Sequence, residues 1–123
     1  MLLCSGKVRW DLVNRRKAAG LDGKVAVMAV ERLYPLPAQQ IADYLNRFDN
    51  VREVRWVQDE PRNQGAWPFM ALNLPGALSS AYPERDWTLT PVTRPASSAP
   101  SVGSAKVHEA QQRALMDDAF ATD

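Results

Sequence analysis

The segment Lys24-Val25-Ala26-Val27-Met28-Ala29-Val30 decides the fold class. From Val25 to Val30 it is apolar without interruption, where a strand with one wet face would alternate. Continuous apolar character over so short a run predicts a strand covered on both faces, and therefore a parallel sheet with helices above and below. The run is also far shorter than the ~20 residues that span a bilayer, so no transmembrane helix is expected.

Elements of the matching kind lie on both sides. Upstream, Met1 to Cys4 predicts a short strand that turns at Ser5-Gly6 into a helix over Lys7 to Ala19. Its inward face is set by Val8, Leu12 and Val13, and Gly20 with the Asp22-Gly23 turn ends it. Downstream, Leu33-Tyr34-Pro35-Leu36-Pro37 is a rigid connector, and Pro37 suits a helix's first turn. Ile41, Tyr44, Leu45 and Phe48 then form one helical stripe, which Asn50 can close. Arg52 to Gln58 predicts a third strand with Val54, Trp56 and Val57 inward, running into an acidic turn at Asp59-Glu60-Pro61. Gly65 to Leu74 predicts a short helix, and residues 75–86, with two prolines and a glycine, a surface loop. Trp87 to Val92 is a fourth strand, in which Pro91 removes a ladder donor and argues for a sheet edge or a strand end. A Pro/Ser/Gly segment over Arg94 to Ser104 leads to a last helix, Ala105 to Phe120, with Ser104 as its N-cap. The pattern is α/β: a three-layer α/β/α sandwich on a mostly parallel sheet, formed as one domain by residues 1–123.

Composition narrows the function. The 123 residues are 46% hydrophobic and 24% charged, ordinary values that exclude collagenous, coiled-coil and wholly disordered chains. Cys4 is the only cysteine, so neither an internal disulfide nor a cysteine zinc cluster is possible, and a reducing compartment fits best. A net charge of +1 gives no reason to expect nucleic acid as a partner. The one dense basic run, Arg15-Arg16-Lys17, stands where cations favour the negative end of a helix.

Few residues invite chemistry. Ser5-Gly6-Lys7 at a strand-to-helix turn could cradle a phosphate, but it lacks the further glycines of a P-loop, and a tight turn is the plainer reading. His108 has no partner in sequence that would make it a base or a metal ligand, and Cys4 reads as a small buried hydrophobe. Asp59-Glu60 stands at the carboxyl end of a parallel strand, the edge where open α/β sheets bind ligands; a solvated turn that caps the next helix explains it equally well. The four tryptophans are not interleaved with basic residues and so do not form a nucleic-acid platform. Alone, these residues specify no reaction.

Longer strings are more specific. EPRNQGAW from Glu60 to Trp67 and RPASSAPSVGSAKVH from Arg94 to His108, together with CSGKVRWDL at Cys4 and ERLYPLP at Glu31, resemble the C-terminal domain of the 2-oxoglutarate dehydrogenase first component. The order and spacing match over nearly the whole chain, least over residues 75–93. The resemblance implies a transketolase C-terminal-type domain, a sandwich of four to five mainly parallel strands with one antiparallel. It further implies a parent enzyme that uses thiamine diphosphate and Mg²⁺ to decarboxylate 2-oxoglutarate oxidatively and passes succinyl to the lipoyl arm of a dihydrolipoyl succinyltransferase. In that family the cofactor sits between two preceding thiamine-binding domains, so no catalytic residue, cofactor or metal ligand is expected within this chain. The family's C-terminal domain helps hold a homodimer and in some members binds an adenine nucleotide such as AMP, or acetyl-CoA. By the matching segment, Arg94 is the expected phosphate ligand, with Thr93, Gln39 and Gln40 as lesser candidates. The resemblance also implies basic residues near Gln39, which are missing here, so that loss of acetyl-CoA affinity is an expectation too. The implied location is the bacterial cytoplasm, or the mitochondrial matrix in a eukaryote. A different reading, from Ser5-Gly6-Lys7 and Arg94, is an autonomous module that binds a nucleotide or CoA.

Overall fold

Strands and helices alternate along the computed structural model, which describes residues 1–97 and 105–121. In chain order they are β1 (Leu2–Cys4), α1 (Val8–Ala18), β2 (Val27–Ala29), α2 (Ala38–Leu45), β3 (Glu53–Pro61), α3 (Trp67–Ala81), β4 (Thr88–Arg94) and α4 (Ala105–Ala119). The strands form one sheet in the order β2-β1-β3-β4, and every pairing is parallel. The antiparallel strand implied by the resemblance is absent among the described residues.

Alternation along each strand divides the core in two. Leu3, Val54 and Trp56 join Ile41, Ala42 and Leu45 of α2 and Met70, Leu74 and Leu78 of α3 on one face. Leu2, Cys4, Val57 and Val92 join Val8 and Leu12 of α1 and Leu115, Met116 and Ala119 of α4 on the other. The result is the expected α/β/α sandwich, with helices packed over both faces of the sheet.

Several boundaries differ from the expectation. The segment that announced the sheet provides an edge strand: β2 pairs only with β1, and its three residues are half-buried. Its apolar continuity reflects partial cover on both faces. α2 ends at Asn46 instead of Asn50, so Ile41 and Leu45 are buried while Phe48 lies beyond the helix and is partly exposed. β3 continues through Asp59 and Glu60 to Pro61, where a turn was expected. α3 runs for 15 residues through Pro75, and most of the expected loop over 75–86 is helix. Met70, Leu74 and Leu78 hold that helix in the core, one turn apart, and this burial outweighs the proline's lost hydrogen bond. Val13 is only half-buried.

Pro91 does lie on an edge strand. Thr88 N–H donates to Arg52 C=O at 2.8 Å, so Thr88, Thr90 and Val92 face β3 and Pro91 falls in the outward phase, where its missing N–H breaks no ladder bond. The basic run closes α1 as expected: Arg16 donates to Val25 C=O at 3.1 Å, and Arg15 meets Asp117 at 2.6 Å. Gly20, at φ +68°, ends the helix. The expected cap, Ser104, lies outside the described residues.

Candidate functional site at the carboxyl edge of the sheet

The strand order creates one natural crevice. The chain leaves β1 through α1 on one face and leaves β3 through α3 on the other, so the loops after these neighbouring strands diverge at their carboxyl ends. Cys4-Ser5-Gly6-Lys7 lies on one side of the crevice and Gln58-Asp59 on the other.

A polar chain crosses it on the α1/α4 face. Lys7 Nζ stands 3.5 Å from the Asp59 carboxylate. Arg94, at the end of β4, donates through Nε to Asp59 C=O at 2.8 Å and places Nη2 4.0 Å from the same carboxylate. Nη2 also donates to Gln112 Oε1 of α4 at 2.8 Å, and Gln112 Nε2 donates to Asp11 of α1 at 3.3 Å. Residues 55, 57 and 59 share one phase of β3, and residues 92 and 94 share the matching phase of β4; this is why Asp59 and Arg94 meet on the helix-covered face. Arg94 is only 8% exposed, and its Nη1 has no hydrogen-bond partner among the described residues. A buried guanidinium with a free N–H group is an unsatisfied donor, and an anion is the ligand that satisfies it best.

On the other face the Glu60–Trp67 string is built around Gln58. Its Oε1 accepts from Trp56 Nε1 at 3.0 Å and from the Trp67 backbone N–H at 2.8 Å, and its Nε2 donates to the carbonyls of Pro61 at 2.9 Å and Gln64 at 2.8 Å. One buried amide thus fixes the turn from β3 into α3. Gly65 is required there: its φ is +63°, and a Cβ would come within 2.5 Å of Glu60 Oε2. Asn63 Nδ2 and Gln64 Nε2 donate to Ser97 C=O at 2.8 and 2.9 Å, Ser97 N–H returns a bond to Asn63 Oδ1 at 3.0 Å, and Arg62 N–H donates to Arg94 C=O at 3.0 Å. Two of the distinctive strings, far apart in sequence, are therefore laced together.

The expected ligand residues fall into two places. Thr93 and Arg94 are adjacent on β4 and line a groove of about 450 Å³ against α4; Thr93 Oγ1 donates to Arg94 C=O at 2.9 Å. Gln39 and Gln40 occupy the first turn of α2, where Gln39 donates to Asp43 at 2.9 Å and Gln40 lines a groove of about 560 Å³ with Met28, Arg32 and Leu36. That groove adjoins β2, at the opposite edge of the sheet. Three strand spacings, about 14 Å, separate the two edges, so the pairs are not brought together.

Other candidates take quiet roles. His108 is exposed on α4. Cys4 is fully buried, and that burial pushes its thiol up to about 11. Of the acidic pair, Asp59 is held between Lys7 and Arg94 and Glu60 leans on Gly65. Among the described residues no three His, Cys, Asp or Glu side chains converge as metal ligands. No step through thiamine diphosphate is assigned to them. Sequence reasoning missed Gln58 and Gln112. Gln58 carried a signal, because it continues the inward phase of Val54 and Trp56, where a polar residue must find partners.

The sequence matches the family described as 2-oxoglutarate dehydrogenase C-terminal over residues 1–120. Among curated relatives, the multifunctional 2-oxoglutarate metabolism enzyme of Mycobacterium sp. (strain KMS) is 44% identical over 121 residues, 98% of this chain. The enzyme of the same name from Mycolicibacterium vanbaalenii is 42% identical over 120 residues. The chain spans 9% of the length of these relatives. With a match over residues 1–120, the chain belongs to the 2-oxoglutarate dehydrogenase C-terminal family.

Proposed function

We propose that residues 1–123 form the C-terminal structural, dimerisation and regulatory domain of a thiamine diphosphate-dependent 2-oxoglutarate dehydrogenase. The observation that carries this reading is the 44% identity over 98% of the chain to relatives of which it covers only 9%. In the whole enzyme, oxidative decarboxylation of 2-oxoglutarate and transfer of succinyl to a lipoyl arm belong to preceding domains that bind thiamine diphosphate and Mg²⁺. This domain packs on those domains, helps join two copies into a homodimer and supports work with a dihydrolipoyl succinyltransferase in the cytoplasm.

The regulatory part rests on Arg94. Its free Nη1 offers a donor to the phosphate of an adenine nucleotide or acetyl-CoA, and Thr93 stands beside it in the same groove. Gln39 and Gln40 contribute at a second point of contact, near the first turn of α2. Calorimetry on the chain with AMP and with acetyl-CoA tests this. Saturable heat that Arg94→Lys weakens about tenfold is the expected result, since loss of one charge-assisted hydrogen bond is worth about 1.5 kcal/mol. A thermal melt of the variant checks that it still folds. Absence of heat at millimolar ligand removes the regulatory role and, with it, the autonomous binding module.

A further inference from the structure

The groove between the end of β4 and α4 holds a second unsatisfied group. Besides Arg94 Nη1, the side-chain oxygen of Gln111 is buried without a hydrogen-bond partner among the described residues, and both residues line the same cavity of about 450 Å³. The next residue, Gln112, accepts from Arg94 Nη2 at 2.8 Å, which ties this turn of α4 to the guanidinium. Asp59 stands 4.0 Å from Nη2 and is shared with Lys7, so Nη1 is the position left for a ligand. Acceptors dominate the rest of the polar lining. Thr93 commits its hydroxyl proton to Arg94 C=O at 2.9 Å, so its oxygen is left to accept, and Asp118 adds a carboxylate two turns beyond Gln111. Two turns are roughly 10 Å along the helix axis, so an anion beside Gln111 does not meet Asp118 at contact distance.

We infer that this groove binds a phosphorylated sugar, with the phosphate on Arg94 Nη1 and the sugar hydroxyls on Gln111 and Asp118. The inference rests on the reading of Arg94 as a phosphate ligand and adds the class of molecule that carries the phosphate. One donor among several acceptors matches a ligand with one anion and several hydroxyls. A bare phosphate would satisfy Arg94 and leave Gln111 buried with nothing to receive, and an apolar group would leave both wanting. A hydroxyl donates to an amide oxygen and accepts from an amide N–H, so it satisfies Gln111 in either orientation of its amide. Pro95, Ala110, Ala114 and Leu115 supply an apolar wall for the carbon face of the sugar. A free pentose phosphate and the ribose phosphate of a nucleotide share this chemistry.

Calorimetry of the 123-residue chain with ribose 5-phosphate, AMP and 2′,3′-dideoxy-AMP tests the inference. Ribose 5-phosphate is expected to bind saturably at millimolar concentration, and dideoxy-AMP to bind about tenfold more weakly than AMP, because it leaves a buried acceptor unpaired. Tighter binding of AMP than of ribose 5-phosphate identifies a ribonucleotide as the source of the sugar phosphate, and the reverse identifies a free one. Gln111→Leu should weaken ribose 5-phosphate about tenfold and abolish the preference for AMP over its dideoxy form. Without ligand, the melting temperature of Gln111→Leu should equal or exceed that of wild type, since the substitution removes an unsatisfied acceptor. AMP that binds while ribose 5-phosphate gives no heat, equal binding of AMP and dideoxy-AMP, or a Gln111→Leu chain with wild-type affinity for ribose 5-phosphate overturns the sugar assignment and leaves Arg94 as a phosphate ligand. No heat with any of the three removes that reading and this inference together.

Discussion

Gln58 shows how much one buried amide can organise. Both donors and the acceptor of its side chain are in use, so Gln58→Leu strands the N–H groups of Trp56 and Trp67 and two carbonyls. The expected loss is about 2–4 kcal/mol, read from urea unfolding; a change within experimental error would deny Gln58 that role. Cys4 gives a pH-dependent counterpart. Its thiol lies up at about 11 against 9.0 for a free thiol, because burial disfavours the thiolate. The folded state therefore holds that proton more tightly, and this contribution is complete below pH 9 and lost between about 9 and about 11. The stability difference between wild type and Cys4→Ala should shrink across that window, and native Cys4 should resist thiol reagents at pH 8 until urea is added. Rapid native labelling would contradict the burial. At this scale the sequence was only partly legible. Arg94 stood out within a familiar string, but that it is buried and shared among Asp59, Gln112 and an open donor position depends on strand phase and on α4, which its neighbours in sequence do not reveal.

Elements were easier to recognise than to delimit. Alternating strands and helices identified the sandwich because hydrophobic period distinguishes the two kinds of segment. Ends depend on tertiary packing. Pro75 and Gly76 read as loop signals, yet Leu74 and Leu78 keep the inward stripe of Met70, and the proline faces outward, where water can serve the carbonyl it leaves free. Pro75→Ala should accordingly stabilise the chain by about 1–3 kcal/mol in thermal or urea unfolding; no gain would mean that the helix has fully adapted to the proline. α2 and α3 are also tied by Tyr82, whose hydroxyl donates to Asp43 at 2.6 Å. That bond, followed by one from Gln39, holds the Asp43 carboxyl below its ordinary value. A depressed carboxylate stabilises the fold above its unfolded pKa and loses that effect as the pH falls. Tyr82→Phe should therefore lower the urea midpoint at pH 7 and have a diminishing effect on acidification; a gap that stays constant with pH would exclude this coupling.

The whole molecule is organised from its sheet edge. A 2-1-3-4 order puts the divergence of the loops between β1 and β3, and the two distinctive strings meet there through Asn63, Gln64 and Ser97. The turn into α3 and the segment after β4 thus form one spatial unit. Exposed Trp10, Tyr34 and Leu72 show that the chain presents apolar surface on several sides, as a domain of a larger enzyme would. In the function proposed above, this unit stabilises and regulates an enzyme whose chemistry resides elsewhere. Its most direct test is 2-oxoglutarate turnover, followed across AMP and acetyl-CoA titrations, in a full-length relative with and without the region equivalent to residues 1–120. The shortened enzyme is expected to lose its response to these effectors together with its stable dimer. A shortened enzyme that remains dimeric, active and effector-responsive would contradict it.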